Sequence, residues 1–274
     1  MLLPLVAPAL ADDLATCAGS TANAMELFYC AGSYNRSVML AEGEMTAPAL
    51  AFAARARLAQ ATFETDPKGA AADVDTAADL ARRALKLEAD NTEAHLQLAI
   101  ALGLKGRRLG PLRAHFLGLG AEARRHIDAV LKHEPQNPWA LSILGAWNIE
   151  IADRGGAAGR LIYGASREAG LAAYNRAVAL APDNLILQYE RALTILAADP
   201  DGLWPDALSG FECVENLAPR DVLETELRRR AVLLAAAIRA DDGPRLAHLV
   251  SEFRGGYERA ETFLARQTLR AVSH

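Results

Sequence analysis

The side chains in this chain that could do chemistry are few and scattered. Six histidines occur: His95, His115, His126, His133, His248 and His274. His126 and His133 are seven apart and share a helix face, but no third ligand stands at a metal-binding spacing. They read as solvated or partly packed side chains, and neither a metal nor a cofactor is expected. Glu150 and Asp153, at i and i+3, put two carboxylates on one helix face. Such a pair can do acid–base work, yet the position reads better as a solvated helix end. Gly155-Gly156-Ala157-Ala158-Gly159 has no Gly-Lys-Ser/Thr after it, so it reads as a flexible connection rather than a phosphate loop. Ser142 and Ser166 lack the context of a nucleophile elbow. No catalytic residue is assigned and no enzymatic activity is expected.

Cysteines stand at Cys17, Cys30 and Cys213. An exported chain could bridge Cys17 to Cys30. On one straight helix the two would lie ~20 Å apart, so a bridge requires a break near Gly19-Ser20. Cys213 falls in a helical pattern and reads as an inert core thiol.

Charge placement is more informative. The chain carries a net charge of -5, which disfavours general nucleic-acid binding. Two stretches run against that average. Lys105, Arg107, Arg108, Arg113 and His115 cluster in the first. Arg154, Arg160 and Arg167 mark the second, partly offset by Asp153 and Glu168. Arginines so placed could receive the carboxylates of a peptide or of an acidic partner surface. Arg107, Arg108, Arg113, Arg154 and Arg160 are therefore candidate partner-binding residues on a basic lip.

The elements that must position these groups are helices. Of 274 residues 58 are alanine, while aromatics make up only 6%. Alanine favours helix and disfavours strand. Four segments repeat one grammar. The first reads Ala77-x3-Ala81-x2-Ala84-x4-Ala89-Asp90-Asn91, and the second Ala123-x3-Ile127-x2-Val130-x4-Pro135-Gln136-Asn137. The third reads Gly170-x3-Tyr174-x2-Ala177-x4-Pro182-Asp183-Asn184, and the fourth Ala207-x3-Phe211-x2-Val214-x4-Pro219-Arg220-Asp221. Small residues at i, i+4 and i+7 make one stripe that lets helices approach closely. Asn91, Asn137, Asn184 and Asp221 are good N-caps for the helix that follows. Asp221 with Glu224 forms a variant of the capping box.

This pattern resembles the second half of a tetratricopeptide repeat. The first half is matched best by Leu141-x2-Leu144-Gly145-x2-Asn148, with leucine for the family's tryptophan and asparagine for its tyrosine. His95-x2-Leu98-Ala99-x2-Leu102 is in the same register. Caps fall 46, 47 and 37 residues apart, against about 34 in that family. The excess lies between the helices of a hairpin, at residues 106–117 and 152–164, with a short third turn at Asp199-Pro200-Asp201. Leu144-Gly145-Ala146-Trp147, the long glycine-containing connection, Tyr163-Gly164-Ala165-Ser166 and Ala172-Ala173-Tyr174 resemble the regulator of microtubule dynamics proteins and their bacterial relatives, over roughly residues 70 to 220. The resemblance implies an all-α, tetratricopeptide-like helical hairpin solenoid with long inter-helix insertions, both emerging along one edge. It also implies that first helices line a concave groove, with Trp139, Ser142, Ala146, Ile149 and Glu150 on one and Ile186, Tyr189, Leu193 and Leu196 on the next. Trp139, Glu150 and Tyr189 are then candidate partner anchors, and Trp147 is expected to pack between helices.

Residues 1–11 are uncharged and end Ala9-Leu10-Ala11 before Asp12-Asp13, as at a secretory cleavage site. A basic n-region is missing, so an ordinary buried N-terminal helix is the alternative. The expected organisation is a truncated signal peptide over 1–11, a helical cap over 12–44, repeats over 45–221 and capping C-terminal helices over 222–274. Within these, residues 20–31 form a short helix, Met45 to Glu64 a long one, and Leu223 to Arg239 and Pro244 to Thr268 the last two, with Gly255-Gly256 a point where the latter can kink or split. No run is long and apolar enough to span a bilayer. The expected function is a non-enzymatic scaffold that binds a protein or peptide in the cell envelope, periplasmic or secreted, with the cytoplasm as the alternative. A small-ligand-binding subunit, its pocket closed by the two insertions, is the second reading.

Overall fold

The computed structural model describes residues 23–198 and 204–255. Within them the chain forms fourteen helices and no strand. They are α1 (Ala24–Cys30), α2 (Tyr34–Glu44), α3 (Ala47–Phe63), α4 (Pro67–Leu87), α5 (Thr92–Leu109), α6 (Pro111–Phe116) and α7 (Leu119–His133). There follow α8 (Pro138–Arg154), α9 (Gly156–Tyr163), α10 (Arg167–Leu180), α11 (Leu185–Ala198), α12 (Trp204–Asn216), α13 (Val222–Arg239) and α14 (Gly243–Phe253). The candidate signal segment, Cys17 and the Asp199-Pro200-Asp201 turn lie outside the described residues.

Packed partners are α3 with α4, α5 with α7, α8 with α10, α11 with α12, and α13 with α14. The first members also touch in succession, α3 to α5 to α8 to α11 to α13. The result is an all-α stack of helical hairpins. The short helices α6 and α9 are the two insertions, each between the members of one hairpin.

The expected caps are made. Asn91 Oδ1 accepts from the Ala94 amide at 2.9 Å, Asn137 from Ala140 at 2.9 Å, Asn184 from Leu187 at 3.1 Å and Asp221 from Glu224 at 2.7 Å. Each satisfies an amide that the first helical turn leaves without a partner. The capping box at Asp221 is only half made. Glu224 takes the Arg220 amide at 2.8 Å and its guanidinium instead of reaching back to Asp221. A complete box occurs earlier, between Asn23 and Glu26.

The small-residue stripes lie where helices cross. Ala77, Ala81, Ala84, Ala123, Ala177 and Ala207 are all buried. At the α8–α10 crossing two glycines face each other. A Cβ on Gly145 would stand 2.5 Å from Tyr174 Cδ2, and one on Gly170 would stand 2.6 Å from Ile149 Cγ1 and 2.9 Å from the Gly145 carbonyl oxygen. No side chain larger than hydrogen fits between those backbones.

Two features depart from the sequence reading. Helix α2 is distinct, its Tyr34 buried against Tyr29 and Phe63 at ring distances of 5.3 and 5.7 Å. The glycine run at 155–159 is not a flexible connection but the tight reversal from α8 into α9. A Cβ on Gly159 would sit 2.6 Å from the Ile151 carbonyl oxygen, so glycine there permits the fold-back. The helix from Gly243 ends at Phe253, before Gly255 with its positive φ of 80°, where the sequence allowed a split; residues beyond 255 lie outside the described ones. Met45, at φ 54°, closes α2 in the left-handed region.

Candidate functional site

Two surfaces hold the predicted site residues: the row of first helices, and the edge carrying α6 and α9. On the row, Glu150 near the end of α8 is the centre of a charge cluster. Arg107 from α5 donates to Glu150 Oε1 at 3.1 Å. Arg154, one turn along α8, lies 4.0 Å from Oε2 and donates to the Arg107 carbonyl oxygen at 2.9 Å. Arg254, just past α14 and 104 residues away in sequence, donates to Glu150 Oε1 with its own side chain almost fully buried. Burial alone would raise the pKa of Glu150. The Arg107, Arg254 and Arg154 guanidiniums outweigh it and hold the group at about 2. A carboxyl so committed cannot donate a proton near neutral pH, so Glu150 does not fit acid–base work. Its candidate partner Asp153 is likewise engaged, 4.0 Å from Arg167.

One helix further, Glu190 on α11 is half-buried, and its carboxylate makes no hydrogen bond or ion pair among the described residues. Burial raises its pKa against the pull of Arg107, Arg254 and Arg230, with Glu150 adding to the rise. The row therefore holds one saturated carboxylate and, beside it, one unsaturated one. Sequence reasoning found the first and missed the second, because Glu190 belongs to no motif.

The other anchors expected in the groove lie elsewhere. Tyr189 is 1% exposed, its ring 6.2 Å from Phe211, so it is a core residue rather than an open groove anchor. Ile149, Leu193 and Leu196 are buried as well. Trp139 is half-buried against the small cluster of Leu96, Val130 and Ala140.

The basic lip is corrected more strongly. Lys105 and Arg108 both turn to Asp75 on α4, at 2.8 and 3.2 Å. Arg107 and Arg154 serve Glu150, and Arg167 also donates to the Ala198 carbonyl oxygen at 2.6 Å. These cations are struts between helices. Arg113, fully on the surface, and Arg160, which donates to the Ala152 carbonyl oxygen at 3.2 Å, make no ion pair among the described residues.

What the edge presents instead is apolar. Leu112 and Phe116 on α6 are 76% and 83% exposed, and Leu161 on α9 is 86% exposed; Leu117 and Ile162 are also on the surface. The two insertions are tied together by a 2.8 Å hydrogen bond between His115 Nδ1 and the Tyr163 hydroxyl. Tyr163 rests edge-on against Trp147 at 6.0 Å. Trp147, buried between helices, donates to the Gly120 carbonyl oxygen at 2.8 Å and carries Arg124 over its ring at 5.1 Å. The signal for this edge was legible in Leu112, Phe116-Leu117 and Leu161-Ile162, apolar residues inside inserted segments.

Two further groups bear on chemistry. Nδ1 of His95 and Nδ1 of His126 are 2.8 Å apart; sequence spacing had paired His126 with His133 instead. No group of three or more histidine, cysteine or acidic side chains able to hold a metal occurs among the described residues. Cys30 is disulfide-bonded and Cys213 is free and half-buried. Cys17, the expected partner of Cys30, lies outside the described residues.

Stacked hairpins with helical insertions along one edge define an all-α protein of helical-repeat character. Residues 33–185 match the family Regulator of microtubule dynamics protein 1-3, and the chain belongs to that family. The match runs from the N-cap of α2 to the first residue of α11. It therefore starts and ends earlier than the 70–220 expected from the motifs, and includes the Gly145–Gly170 crossing and both insertions. No curated protein sequence matches the chain. Among the described residues no helix is long and apolar enough to cross a membrane.

Proposed function

We propose that this chain is a non-enzymatic, tetratricopeptide-like scaffold that holds a segment of a protein partner along its row of first helices, in the cell envelope. The observation that supports this is the Arg254–Glu150 pair. The row already receives a distant stretch of its own chain by burying a guanidinium on a carboxylate. The half-buried carboxylate of Glu190 beside it keeps acceptor capacity for a second donor. Charge-assisted pairing of that kind gives register and specificity in peptide recognition. Glu150, the centre of the row's charge cluster, is engaged in structural pairs with Arg107, Arg154 and Arg254, which supports a holding role for that residue. The small-ligand reading gains nothing from the cavity between α8, α10 and α11, lined by Ile149, Arg167, Leu171, Ile195 and Ala198. Its volume of about 10 Å³ is room for a water, not a metabolite.

Site-specific photo-cross-linking in intact cells tests the proposal. A cross-linkable side chain at position 190 is expected to yield a discrete protein adduct. The same group at the exposed Lys132 on the outer helix α7 is not. Equal adducts from both positions, or none from 190, would remove the row as the partner surface.

A further inference from the structure

We propose that the edge formed by α6 and α9 docks this protein peripherally on an anionic lipid bilayer. Leu112, Phe116, Leu117, Leu161 and Ile162 stand on two short helices braced by the His115–Tyr163 hydrogen bond. Apolar side chains about four-fifths exposed protrude; they do not line a groove into which a partner's side chains would fit. Water penalises such a cluster. A bilayer interface accepts protruding leucine, isoleucine and phenylalanine without needing a matching shape.

Charge selects the kind of bilayer. The chain as a whole is acidic, at -5. Yet residues 94–121 and 154–167 contain no aspartate or glutamate. Arg113 and Arg160 flank the apolar side chains and make no ion pair among the described residues, so their charge is available to lipid headgroups. Asp75 and Asp153 on the adjoining helices are already held, the first by Lys105 and Arg108, the second by Arg167. On an acidic body, an acid-free apolar edge that carries Arg113 and Arg160 is a face an anionic surface attracts. The edge is thus both anchor and compass. Its side chains are none of those that the partner-holding reading uses, so this inference does not rest on that reading.

Co-sedimentation of the full chain with vesicles tests it. Binding to equimolar phosphatidylcholine–phosphatidylglycerol vesicles is expected, weaker to phosphatidylcholine alone, and falling with added salt. The variant carrying Leu112→Ser, Phe116→Ser and Leu161→Ser should lose about tenfold or more in partitioning. Arg113→Glu with Arg160→Glu should abolish the preference for phosphatidylglycerol. All five positions are on the surface, so unchanged circular dichroism and melting are expected to accompany these losses. Failure of the wild-type chain to bind either vesicle overturns the proposal, as does unchanged binding by the serine variant. Self-association that the serine variant abolishes, without vesicle binding, would assign the edge to a second copy of the chain and equally overturn it.

Discussion

The Nδ1 atoms of His95 on α5 and His126 on α7 lie 2.8 Å apart, joining the two helices of one hairpin. His95 Nε2 is 3.0 Å from the Ala89 carbonyl oxygen, which can only accept, so Nε2 carries a proton. In the neutral ring His95 Nδ1 then accepts, and His126 donates to it. Burial, followed by the neighbouring His95, pushes His126 from 6.5 down to about 4; burial also lowers His95. The unfolded chain therefore takes up protons first. This contribution to stability is complete above pH 6.5 and is lost as pH falls toward about 4. Because both rings are half-buried, we expect a discounted loss of about 1 kcal/mol over that window. Urea titrations of the wild-type chain and His126→Gln should show their difference shrinking as the pH is lowered. A constant difference would contradict the linkage.

The neighbouring glutamates of the row should respond oppositely to neutralisation. Glu150→Gln leaves Arg107, Arg154 and Arg254 around an uncharged amide, and a cost of about 3 kcal/mol is expected. With its pKa held at about 2, the wild-type contribution is present above 4.5 and fades only as pH falls toward 2. Glu190 is raised by burial, so its ionised form is disfavoured in the fold. Glu190→Gln should be neutral or stabilising at neutral pH. Chemical denaturation of both variants checks the contrast, and a destabilised Glu190→Gln would show that its charge is needed.

Glycine at the α8–α10 crossing is required by space. Gly145→Ala brings a methyl within 2.5 Å of Tyr174 and 3.0 Å of the Gly170 carbonyl oxygen, so a loss of about 2–3 kcal/mol is expected. Gly103, also in a helix, is open: a methyl added there would meet nothing within 4 Å. Gly103→Ala should stabilise by about 0.5–1 kcal/mol through helix propensity. Melting curves for the two variants should shift in opposite directions.

Trp147 is tied to α7 by one hydrogen bond, to the Gly120 carbonyl oxygen, and supports the second insertion through one ring contact, with Tyr163. Trp147→Phe keeps most of the packing but leaves the Gly120 carbonyl oxygen without its donor. A loss of about 1 kcal/mol is expected. Amide exchange should accelerate in the first turn of α7, where Gly120 loses its donor, and in α9, which rests on residue 147 through Tyr163, more than in α4. Uniform acceleration across the chain would mean that the tryptophan serves the core at large.

Much of the architecture was legible because it is local. An asparagine that caps a helix bonds an amide three residues on, as Asn91, Asn137 and Asn184 all do. A stripe of small residues at i, i+4 and i+7 marks one helix face before any partner helix is known. Helix limits followed: Met45 to Glu64 was expected, and Ala47–Phe63 is observed. The Cys30 neighbourhood, the helix α2 and the glycine reversal into α9 were less legible, since each depends on what lies beside the chain rather than along it.

The candidate site divides along the same line. Residue type and spacing by themselves determined that this chain stacks helical hairpins, and that its insertions are rich in arginine. Only the tertiary structure decided which carboxylate each arginine meets. Asp75 lies 30 and 33 residues from Lys105 and Arg108, and Glu150 lies 43 from Arg107 and 104 from Arg254. Ion pairing depends on distance in space, and that distance is set by the lateral register of stacked hairpins. The same register buried Tyr189, joined His95 to His126, and left the apolar side chains of α6 and α9 facing water.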